Sequence, residues 1–553
     1  MLKKWLYFPK KSNDVIKQLL INRKISKKEQ KSFLQPSYDE DFFDPFKMKN
    51  MKKAVIRIEK ALQKNEKIAI FGDYDADGIP GTVLVYEALK KIGIRPTPFI
   101  SKRSEGYGLN IRIIKRLIKQ KYNLVICVDN GTKNVKEINY AKNKNLDFII
   151  CDHHETGKIL PKAILLNPKQ KKCNYPFKEL CGAGVVYKLT QALSKRNQKI
   201  TERDLKWWLE LAAISTICDV VPLVGENRVI AYFGLLALKK TKRIGLQEIY
   251  KIAGIDQSGI STYTVGFQIG PRLNAPGRLN MANESFWLLA TKNINKAKKL
   301  AITLEKANQE RQKKLLDLLE KAEKKIISNQ YDKKKIILVS GKNWPSGLIG
   351  LVAGKITEKY SRPTIILSKG KKISKGSARS IDNFHIIEAL ENSKKYLKKF
   401  GGHSKAAGLT LENERLEDLY NQLLKLADFK LTSDDLIPKI RIDLKLNFNI
   451  INMNLINKIN RFEPYGLGNP RPVFSTSNLE IIDKQLLGKE KKHLKIKIKN
   501  QDGIIFSAIG FNLGEFNNQI KISDIVDLAY SIDTNEWMGE KRIELRLIDL
   551  KIV

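Results

Sequence analysis

The chain has 553 residues, of which 42% are hydrophobic and 29% charged, and its formal net charge is +43. This length predicts roughly three or four domains at about 150 residues each, and the apolar content excludes a largely disordered chain. The charge favours a polyanionic partner, but a lysine-biased composition explains much of it, so charge alone supports nucleic-acid binding only weakly.

The N-terminus and the cysteines bear on the compartment in which the protein works. No apolar signal core follows the first residues, and no apolar stretch reaches the ~20 residues that a membrane-spanning helix needs. The five cysteines are scattered without a CxxC pair, which argues against a disulfide framework and a zinc knuckle. We therefore expect a cytoplasmic protein that has no membrane partner.

The first predicted elements form an alternating α/β pattern. Residues 1–50 are predicted to be a polar, mainly helical lead-in. Apolar runs then end at Phe71, Val128 and Cys151, and helical patterns separate them. Such runs are typical of a parallel sheet that is covered on both faces. We predict one α/β domain over residues 51–225.

The second half of the chain predicts a connector and two further domains. No Pro or Gly occurs between Asn283 and Gln330, and leucines recur there at helical spacing, so we predict long helices within a connector at 226–335. An ordinary helix packed in a core would have the same pattern. A second α/β domain is predicted at 336–430, and short alternating segments predict a small β-barrel or sandwich at 431–553.

The strongest chemical pattern is an acidic loop directly after the first strand. Asp73, Asp75 and Asp77 alternate there and Gly78 follows them, which places hard oxygen donors together before a helix N-terminus that favours phosphate. An EF-hand loop begins in the same way, but the Glu that it requires at its end is missing. A solvated turn is the other alternative, and a metal site explains the pattern better than either.

More acids and two imidazoles follow the next two strands. Asp129 follows the second apolar run, His153 and His154 follow Asp152 after the third, and Asp219 lies in an apolar stretch that rarely buries a lone acid. Ligands of an open parallel sheet bind beyond the carboxyl ends of its strands, so we expect the three strand-end clusters to meet at that edge. The mixed donor set suits Mn²⁺ or Mg²⁺ better than zinc, and it predicts two ions about 3.5–4 Å apart.

These residues resemble the DHH phosphoesterase family, which is named for Asp-His-His, and the resemblance runs from Asp73 nearly to the C-terminus. It implies a multidomain α/β fold: a parallel-sheet DHH catalytic domain, a long connecting helix, a second α/β DHH-associated domain that binds substrate, and a C-terminal OB-like β-barrel. The implied metal ligands are Asp75, Asp77, Asp129, His153 and Asp219. The implied catalytic residues are His154, which would face the scissile phosphate, Asp129, which would bridge the ions, and Asp73 and Asp152, which would support the site or be occasional ligands.

Several glycine- and arginine-bearing segments resemble the nucleic-acid contacts of that family. The implied contacts are Arg103, Tyr107, Arg272, Arg278, Ser377, Arg379, Gly401, Gly402 and His403. Glycines permit close backbone approach and arginine can grip phosphate bidentately, although a surface salt bridge is the alternative for each arginine. Two positions depart from the family pattern: Pro345 follows Trp344 where a His is usual, and Pro276 replaces a small residue.

The C-terminal block is similar to that of the family members that degrade single strands. Residues 464–472 resemble the loop that leads into their OB fold, and residues 535–539 also match. The resemblance implies a metal-dependent exodeoxyribonuclease that works 5′→3′ on single-stranded DNA and releases 5′-mononucleotides in recombination and repair. It implies a monomer whose partners are single-strand-binding protein and a helicase.

Two other functions remain open at this point. The first is a DHH phosphoesterase that acts on short oligonucleotides or RNA; the C-terminal block argues against short substrates but does not distinguish RNA from DNA. The second is a non-catalytic scaffold that binds single strands, and the complete set of predicted metal ligands argues against it.

Overall fold

A computed structural model describes residues 3–102, 108–279, 281–537 and 540–553 of the chain. The chain forms two compact units. One unit contains the residues up to Tyr7 together with Gln309–Arg441, and the other contains Phe8–Asn308 together with Ile442–Val553.

The larger unit begins with short helices and a parallel sheet. The elements in the first part of the chain are β1 (Lys4–Tyr7), α1 (Val15–Asn22), α2 (Gln30–Leu34), α3 (Met51–Gln63), β2 (Ile68–Gly72), α4 (Gly78–Lys91), β3 (Thr97–Ile100), α5 (Ile111–Lys119), β4 (Leu124–Val128), α6 (Val135–Lys142), β5 (Asp147–Cys151) and β6 (Ile164–Leu166). The sheet has the strand order β3-β2-β4-β5-β6 and is parallel throughout. Every residue of β2 and β4 is buried, as expected for strands that helices cover on both faces.

The register of this sheet aligns the carboxyl ends of its three central strands. Gly72 pairs with Val128, and Val128 pairs with Cys151. The residues that follow these three ends therefore emerge side by side at one edge of the sheet. This alignment places the acidic segments at a common position.

Further helices follow the sheet in sequence. They are α7 (Gly182–Ser194), α8 (Glu202–Cys218), α9 (Gly225–Leu238), α10 (Ile244–Ala253), α11 (Gly270–Arg278), α12 (Ala282–Ala290) and α13 (Ile294–Ser328). A capping box starts α8, because the Thr201 hydroxyl accepts from the Asp204 amide while the Asp204 carboxylate accepts from the Thr201 amide. A π-helical turn, Thr264–Ile269, runs directly into α11.

The 35-residue helix α13 passes from one unit to the other. Ala297, Ala301 and Leu304, in its first half, are buried in the core of the larger unit. Leu315 and Leu318, in its second half, are buried in a core of the smaller unit. The long connecting helix that the sequence predicts is therefore present.

The smaller unit is a second α/β domain. It contains β7 (Ile337–Lys342), α14 (Ile349–Tyr360), β8 (Thr364–Lys369), β9 (Ile373–Arg379), α15 (Ile386–Glu391), β10 (Lys399–Gly402), β11 (Ala406–Glu412), α16 (Leu416–Lys430) and β12 (Lys439–Ile442). Its five-stranded sheet has the order β10-β11-β9-β8-β7, in which β7 and β8 run parallel and the other pairs antiparallel. Strand β1 pairs with β12.

The C-terminal part of the larger unit is a closed barrel. Its elements are β13 (Leu444–Lys445), α17 (Met453–Asn460), β14 (Phe474–Leu487), β15 (His493–Lys499), β16 (Ile505–Gly510), β17 (Ile525–Trp537) and β18 (Glu540–Ile552). The pairings β14-β15-β16-β18-β17 close through β14 and β17 into a five-stranded ring, which removes open strand edges. Short 3-10 turns complete the described structure at Pro45–Lys47, Tyr331–Lys333, Lys394–Tyr396, Asn413–Arg415, Asp434–Leu436, Phe448–Ile450 and Gly514–Asn518.

The predicted fold class is confirmed: a parallel α/β domain, a long connecting helix, a second α/β domain and a C-terminal barrel with OB topology. Within the described residues, no helix has both the length and the apolar composition that crossing a bilayer requires.

A buried arginine ties the barrel to the helices of the same unit. Arg228 of α9 is 2% exposed, and its guanidinium donates to the carbonyls of Phe33, Arg461, Phe462, Glu463 and, at 3.4 Å, Pro464. The ring of Phe33 lies 4.1 Å from the guanidinium carbon. Burial lowers the pKa of Arg228 to about 10. The loop that leads into the barrel is thus held by one side chain that a distant helix supplies.

Candidate active site

Acidic residues follow each of the three aligned strand ends. Asp73, Asp129 and Asp152 come directly after Gly72, Val128 and Cys151, and all three are buried. Asp129 has a φ of 59°, in the left-handed region that non-glycine residues rarely adopt. The Asn130 amide secures this turn, because its side chain donates to the carbonyls of Val128 and Phe71. Strained backbone of this kind is common where a side chain must be aimed.

The first acidic loop is shaped by its own hydrogen bonds. The Asp75 carboxylate accepts from the backbone amides of Asp77 and Gly78, each at 3.0 Å. The Ser101 hydroxyl, just beyond β3, donates to Asp73 at 2.6 Å. A Cβ at Gly78 would lie 2.5 Å from the Asp73 carbonyl oxygen, so this tight loop requires glycine there.

Asp77 is held by the N-terminus of α7. Its carboxylate accepts from the backbone amides of Gly182 at 2.6 Å and Ala183 at 2.8 Å. The positive end of the helix dipole favours a carboxylate at this position. Gly182 also lies against Asp129, since a Cβ there would be 2.7 Å from the Asp129 Cβ. The start of α7 therefore fixes the separation of two acids that come from different strands.

The imidazole of His153 points into a cluster of carboxylates. Its Nε2 atom lies 3.3 Å from Asp129 Oδ1, 3.5 Å from Asp219 Oδ2 and 3.7 Å from Asp77 Oδ2. These distances exceed those of good hydrogen bonds, and they are what donors arranged around a common cation would show. Asp219 reaches this point because it follows the last residue of α8.

The potential ligand atoms form three overlapping groups. They are Asp77 with His153 and Asp219, Asp129 with His153 and His154, and Asp73 with Asp75 and Asp129, and within each group the ligand atoms lie within 4.8 Å of one another. Asp129 belongs to two of these groups. A carboxylate that two clusters share is the arrangement that two adjacent ions require.

Asp152 orients the second histidine of the motif. Its Oδ1 atom accepts from His154 Nδ1 at 2.7 Å and from the His153 amide at 2.8 Å, while Oδ2 accepts from the Thr132 amide. Burial opposes ionisation of Asp152, but the bond and charge of His154 outweigh it and lower the Asp152 pKa. Burial likewise opposes protonation of His154, and its bond to Asp152 outweighs that and raises the His154 pKa. The pair favours a protonated imidazole beside an ionised carboxylate.

The clustered carboxylates disfavour one another's charge. Burial raises the pKa of Asp219 to about 9 and that of Asp73 to about 7, and neighbouring acids add to both shifts. Burial followed by repulsion from Asp77 and Asp75 raises the Asp129 pKa well above its ordinary value. Divalent cations reverse such repulsion, and oxygen-rich donors with one or two imidazoles suit Mn²⁺ or Mg²⁺. The residues present therefore fit a pair of hard cations.

The helix α11 closes over the acidic loop. The Asn274 side-chain oxygen accepts from the Ala76 amide at 2.7 Å, and a Cβ at Gly277 would lie 2.6 Å from the Tyr74 carbonyl oxygen. Two predicted nucleic-acid contacts, Arg272 and Arg278, belong to this helix.

The predicted arginines differ in their surroundings. Arg272 is ion-paired with Glu305 at 2.6 Å and donates to the Gln268 carbonyl, which is the salt-bridge alternative considered for it. Arg278 ends α11, directly after the glycine that packs on the acidic loop. Arg103 and Tyr107 lie outside the described residues.

The predicted contacts of the smaller unit lie along adjacent strands of its sheet. Gly401 pairs with Gly408, and Gly408 pairs with Ser377. In the part of the chain that the structure describes, a Cβ at Gly401 or Gly408 would have no neighbour within 4 Å. These two paired glycines therefore form an open strip on the sheet. A Cβ at Gly402 would lie 2.2 Å from the Ala406 carbonyl oxygen, so the exposed turn before His403 needs glycine.

Arg379 flanks this open strip beside the start of α14. Its Nη1 atom donates to the Ser377 hydroxyl at 3.2 Å and to the Ala378 carbonyl at 2.8 Å. A Cβ at Gly350, in the first turn of α14, would lie 3.0 Å from Ser377 Oγ and 3.4 Å from Arg379 Nη2. A guanidinium, a hydroxyl and a helix N-terminus therefore converge, which is a chemistry that suits a phosphate.

Sequence reasoning missed some residues that shape the site. Ser101, the amides of Gly182 and Ala183, and Asn274 were not singled out as parts of it. Ser101 follows the end of β3, so the strand-end rule that located the acids could have found it. The helix N-terminus and Asn274 come from distant segments and carry no local signal.

Three family models match successive parts of the chain. The DHH family N-terminal domain matches residues 67–216, the DHHA1 domain matches residues 332–430, and the RecJ OB domain matches residues 442–549. The matched segments contain the strand-end acids, the open glycine strip and the barrel, respectively.

Relatives and solved structures are similar over nearly the whole length. The chain is 38% identical to the single-stranded-DNA-specific exonuclease RecJ of Bacillus subtilis over 97% of this chain and 68% of that protein. It is 32% identical to the protein of the same name from Haemophilus influenzae, over 92% of this chain and 91% of that protein. The crystal structure of RecJ in complex with Mn²⁺ from Thermus thermophilus superposes with a TM-score of 0.83 at 25% identity, covering 99% of this chain and 79% of that one.

Proposed function

This chain belongs to the RecJ family, and from that membership we propose that it is a metal-dependent exonuclease that degrades single-stranded DNA. One observation carries the proposal: carboxylates and imidazoles from distant parts of the chain converge at the aligned strand ends, and Asp129 is shared between two clusters. A scaffold without catalysis would not need to bury so many mutually repelling acids. The products are 5′-mononucleotides, and the reaction runs from the 5′ end.

Two ions of Mn²⁺ or Mg²⁺ fit the donor set. Asp77, His153 and Asp219 would hold one ion, Asp75 with support from Asp73 would hold the other, and Asp129 would bridge them. Bound ions of this kind activate a water molecule and neutralise the oxygens of the phosphate under attack. The start of α7 keeps Asp77 beside Asp129, and Ser101 keeps Asp73 in place.

His154 serves the reacting phosphate in this proposal. Its Nδ1 atom is committed to Asp152, and we propose that its Nε2 atom donates to a phosphate oxygen. The raised pKa of His154 favours the protonated form of that donor, which can orient the phosphate or give a proton to the leaving oxygen.

The smaller unit would anchor a further phosphate of the strand. Arg379, Ser377 and the first turn of α14 form the cationic end of this anchor. The strip of Gly401 and Gly408 lets a strand approach the backbone closely. Arg103, Tyr107, Arg278, Gly402 and His403 remain predicted contacts, and Arg272 would have to exchange its pairing with Glu305 to become one.

The barrel would hold the strand that leads to the metal centre. On β15, Lys495, Lys497 and Lys499 alternate with buried Leu494, Ile496 and Ile498, so one face of the strand carries a row of lysines. Lys497 and Lys499 are paired with Asp483 and Glu480 of β14 and would have to exchange those partners for phosphates. OB folds bind single strands through such grooves together with stacking. We further propose a cytoplasmic monomer that meets single-strand-binding protein and a helicase, because a duplex must be unwound before it can supply this substrate.

Digestion of end-labelled strands tests the proposal. Single-stranded oligonucleotides labelled at the 5′ or the 3′ end, a blunt duplex and an RNA of the same sequence are incubated with Mn²⁺, Mg²⁺ or chelator. We expect immediate release of a labelled mononucleotide from the 5′-labelled strand, gradual shortening of the 3′-labelled strand, little action on the duplex and no action with chelator.

Asp129→Ala is the control for the chemistry, because it removes the shared carboxylate while the strand-binding surfaces stay intact. It should abolish cleavage without abolishing binding of the oligonucleotide. Release of label first from the 3′ end would refute the polarity. Faster digestion of RNA than of DNA would refute the substrate class.

A further inference from the structure

Two aromatic side chains are stacked on each other and exposed on the helical segment that leads into α11. Tyr263 is 61% exposed and Phe267 is 70% exposed. Their ring centroids are 5.0 Å apart and their planes differ by 24°. Large rings are usually buried, and adjacent exposed ones often mark a recognition surface.

The pair stands on a helical segment that is fixed to both sides of the metal centre. At one end the Cys218 thiol, which precedes Asp219, donates to the Val265 carbonyl at 3.7 Å, and a Cβ at Gly270 would lie 2.4 Å from the same sulfur. At the other end the side-chain oxygen of Asn274 accepts a hydrogen bond from the backbone amide of Ala76, within the acidic loop. The segment therefore spans from one proposed ligand to the others, and these contacts set its position relative to them.

The backbone of this segment is unusual at the aromatic pair. Phe267 lies within the π-helical turn Thr264–Ile269, and Tyr263 is the residue before it. A π turn is wider than an α turn and is frequently found at functional sites. Val265 and Ile269 of the same turn are buried, so the turn packs one face inward and presents the aromatic pair outward.

We propose that Tyr263 and Phe267 form a stacking platform for an unpaired nucleobase of the strand whose backbone lies at the metal centre. This rests on the proposed function, which brings unpaired bases to this edge of the larger unit. The turn that carries the platform runs directly into α11, which contacts the acidic loop through Asn274. Aromatic faces stack on any base, so the contact is independent of sequence.

The platform also contributes to the preference for single strands. The bases of a duplex are already stacked and paired, so a protein ring can engage one only after it has been unstacked. An unpaired base is free to stack on Phe267 without that cost. The platform thus adds affinity for single strands that a duplex cannot gain.

Fluorescence of 2-aminopurine tests the platform directly. Oligonucleotides that carry one 2-aminopurine at successive positions from the 5′ end are bound to the full-length protein with Ca²⁺ in place of Mn²⁺, which prevents turnover. We expect quenching to be strongest at one or two adjacent positions, and Phe267→Ala and Tyr263→Ala should each weaken it there and nowhere else. Phe267→Trp should restore it.

Turnover with Mn²⁺ gives the second readout. Removing one stacked base is expected to raise KM for a single strand about tenfold in Phe267→Ala, which corresponds to about 1.4 kcal/mol of lost stacking, while kcat changes little. An abasic site at the quenched position should raise KM for the native protein equally and add nothing in the variant. Phe429→Ala is the matched control, since Phe429 is 88% exposed on α16 of the other unit and should behave like the native protein.

The platform is refuted if the quenching profile of Phe267→Ala matches that of the native protein. It is also refuted if the abasic site and the substitution act additively, because the two would then affect different contacts. Failure of the proposed function would look different: the native protein would not digest single strands with Mn²⁺, whatever the fluorescence showed.

Discussion

Replacing Gly182 by Ala should disable the metal centre without changing any metal ligand. Gly182 is the first residue of α7, and its amide donates to Asp77. The new Cβ would lie 2.7 Å from the Asp129 Cβ, 3.0 Å from the Asp129 Cα and 3.0 Å from Asp77 Oδ2. Carbon atoms in contact prefer about 3.5–4.0 Å, so Asp129 must move away from α7 by roughly 1 Å.

This displacement sets the size of the expected effect. A misplacement of about 1 Å at a catalytic group can reduce activity about 100-fold, and Asp129 is the residue that the clusters share. Overpacking costs about 1–3 kcal/mol of stability, and the better helix propensity of Ala offsets less than about 1 kcal/mol of it. We therefore expect a modest fall in Tm together with a large fall in kcat/KM and in Mn²⁺ affinity.

The control variant is Gly184→Ala, two residues further along the same helix. A Cβ there would lie 3.4 Å from two carbons of Leu180 and 3.6 Å from the Cys181 sulfur, which are ordinary contacts. Initial rates on a 5′-labelled single strand and calorimetric titration with Mn²⁺ compare the two variants. The reasoning is refuted if Gly182→Ala keeps both the metal affinity and the kcat/KM of Gly184→Ala.

Three further predictions concern protonation, metal binding and packing. Asp152→Asn removes the charge that raises the His154 pKa, so the alkaline limb of the pH–rate profile should move to lower pH; an unmoved limb would contradict the role of the pair. The folded-state pKa values of Asp73 and Asp219, about 7 and about 9, lie above the ordinary 3.8, so their contribution to the stability of the chelator-treated protein should be lost as pH rises through those values. Mn²⁺ should offset that loss, so the increase in Tm that Mn²⁺ produces should be larger at about pH 9 than at about pH 7. An equal increase at both pH values would contradict this. Arg228→Met should strip the donors from buried carbonyls and lower the free energy of unfolding by about 3 kcal/mol or more, measured by urea denaturation, and an unchanged midpoint with unchanged m-value would contradict the packing described for it.

The metal centre could be anticipated from sequence because its signals are local. Each strand-end cluster directly follows an apolar run, and the rule that parallel strands present their carboxyl ends at one edge needs no knowledge of the register. Asp219 follows a helix instead, and its signal is that an apolar stretch rarely buries a lone acid. The structure brings together all the predicted ligands of this centre. Their assignment to particular ions remains a prediction, as do the domain boundaries.

The contacts that the sequence did not reveal depend on long-range packing. Arg272 and Glu305 are 33 residues apart, on different helices, so no spacing rule joins them. The row from Ser377 to Gly408 to Gly401 exists only because of the register of three strands. The aromatic pair looks like an ordinary core pattern, since Tyr263 and Phe267 have the i, i+4 spacing of a buried helical face, and only their exposure shows otherwise.

The guanidinium of Arg228 has a consequence for substrate length. By bonding to the carbonyls of the loop before β14, it fixes this loop to α9 of the same unit. If a flexible linker joined the barrel to the catalytic domain, the distance from the barrel to the metal centre could adapt to oligomers of any length. A barrel that is fixed in place sets one distance, which an oligomer must be long enough to span. Affinity should then rise abruptly at the shortest oligomer that spans from the ions to the barrel, rather than increase smoothly with each added nucleotide.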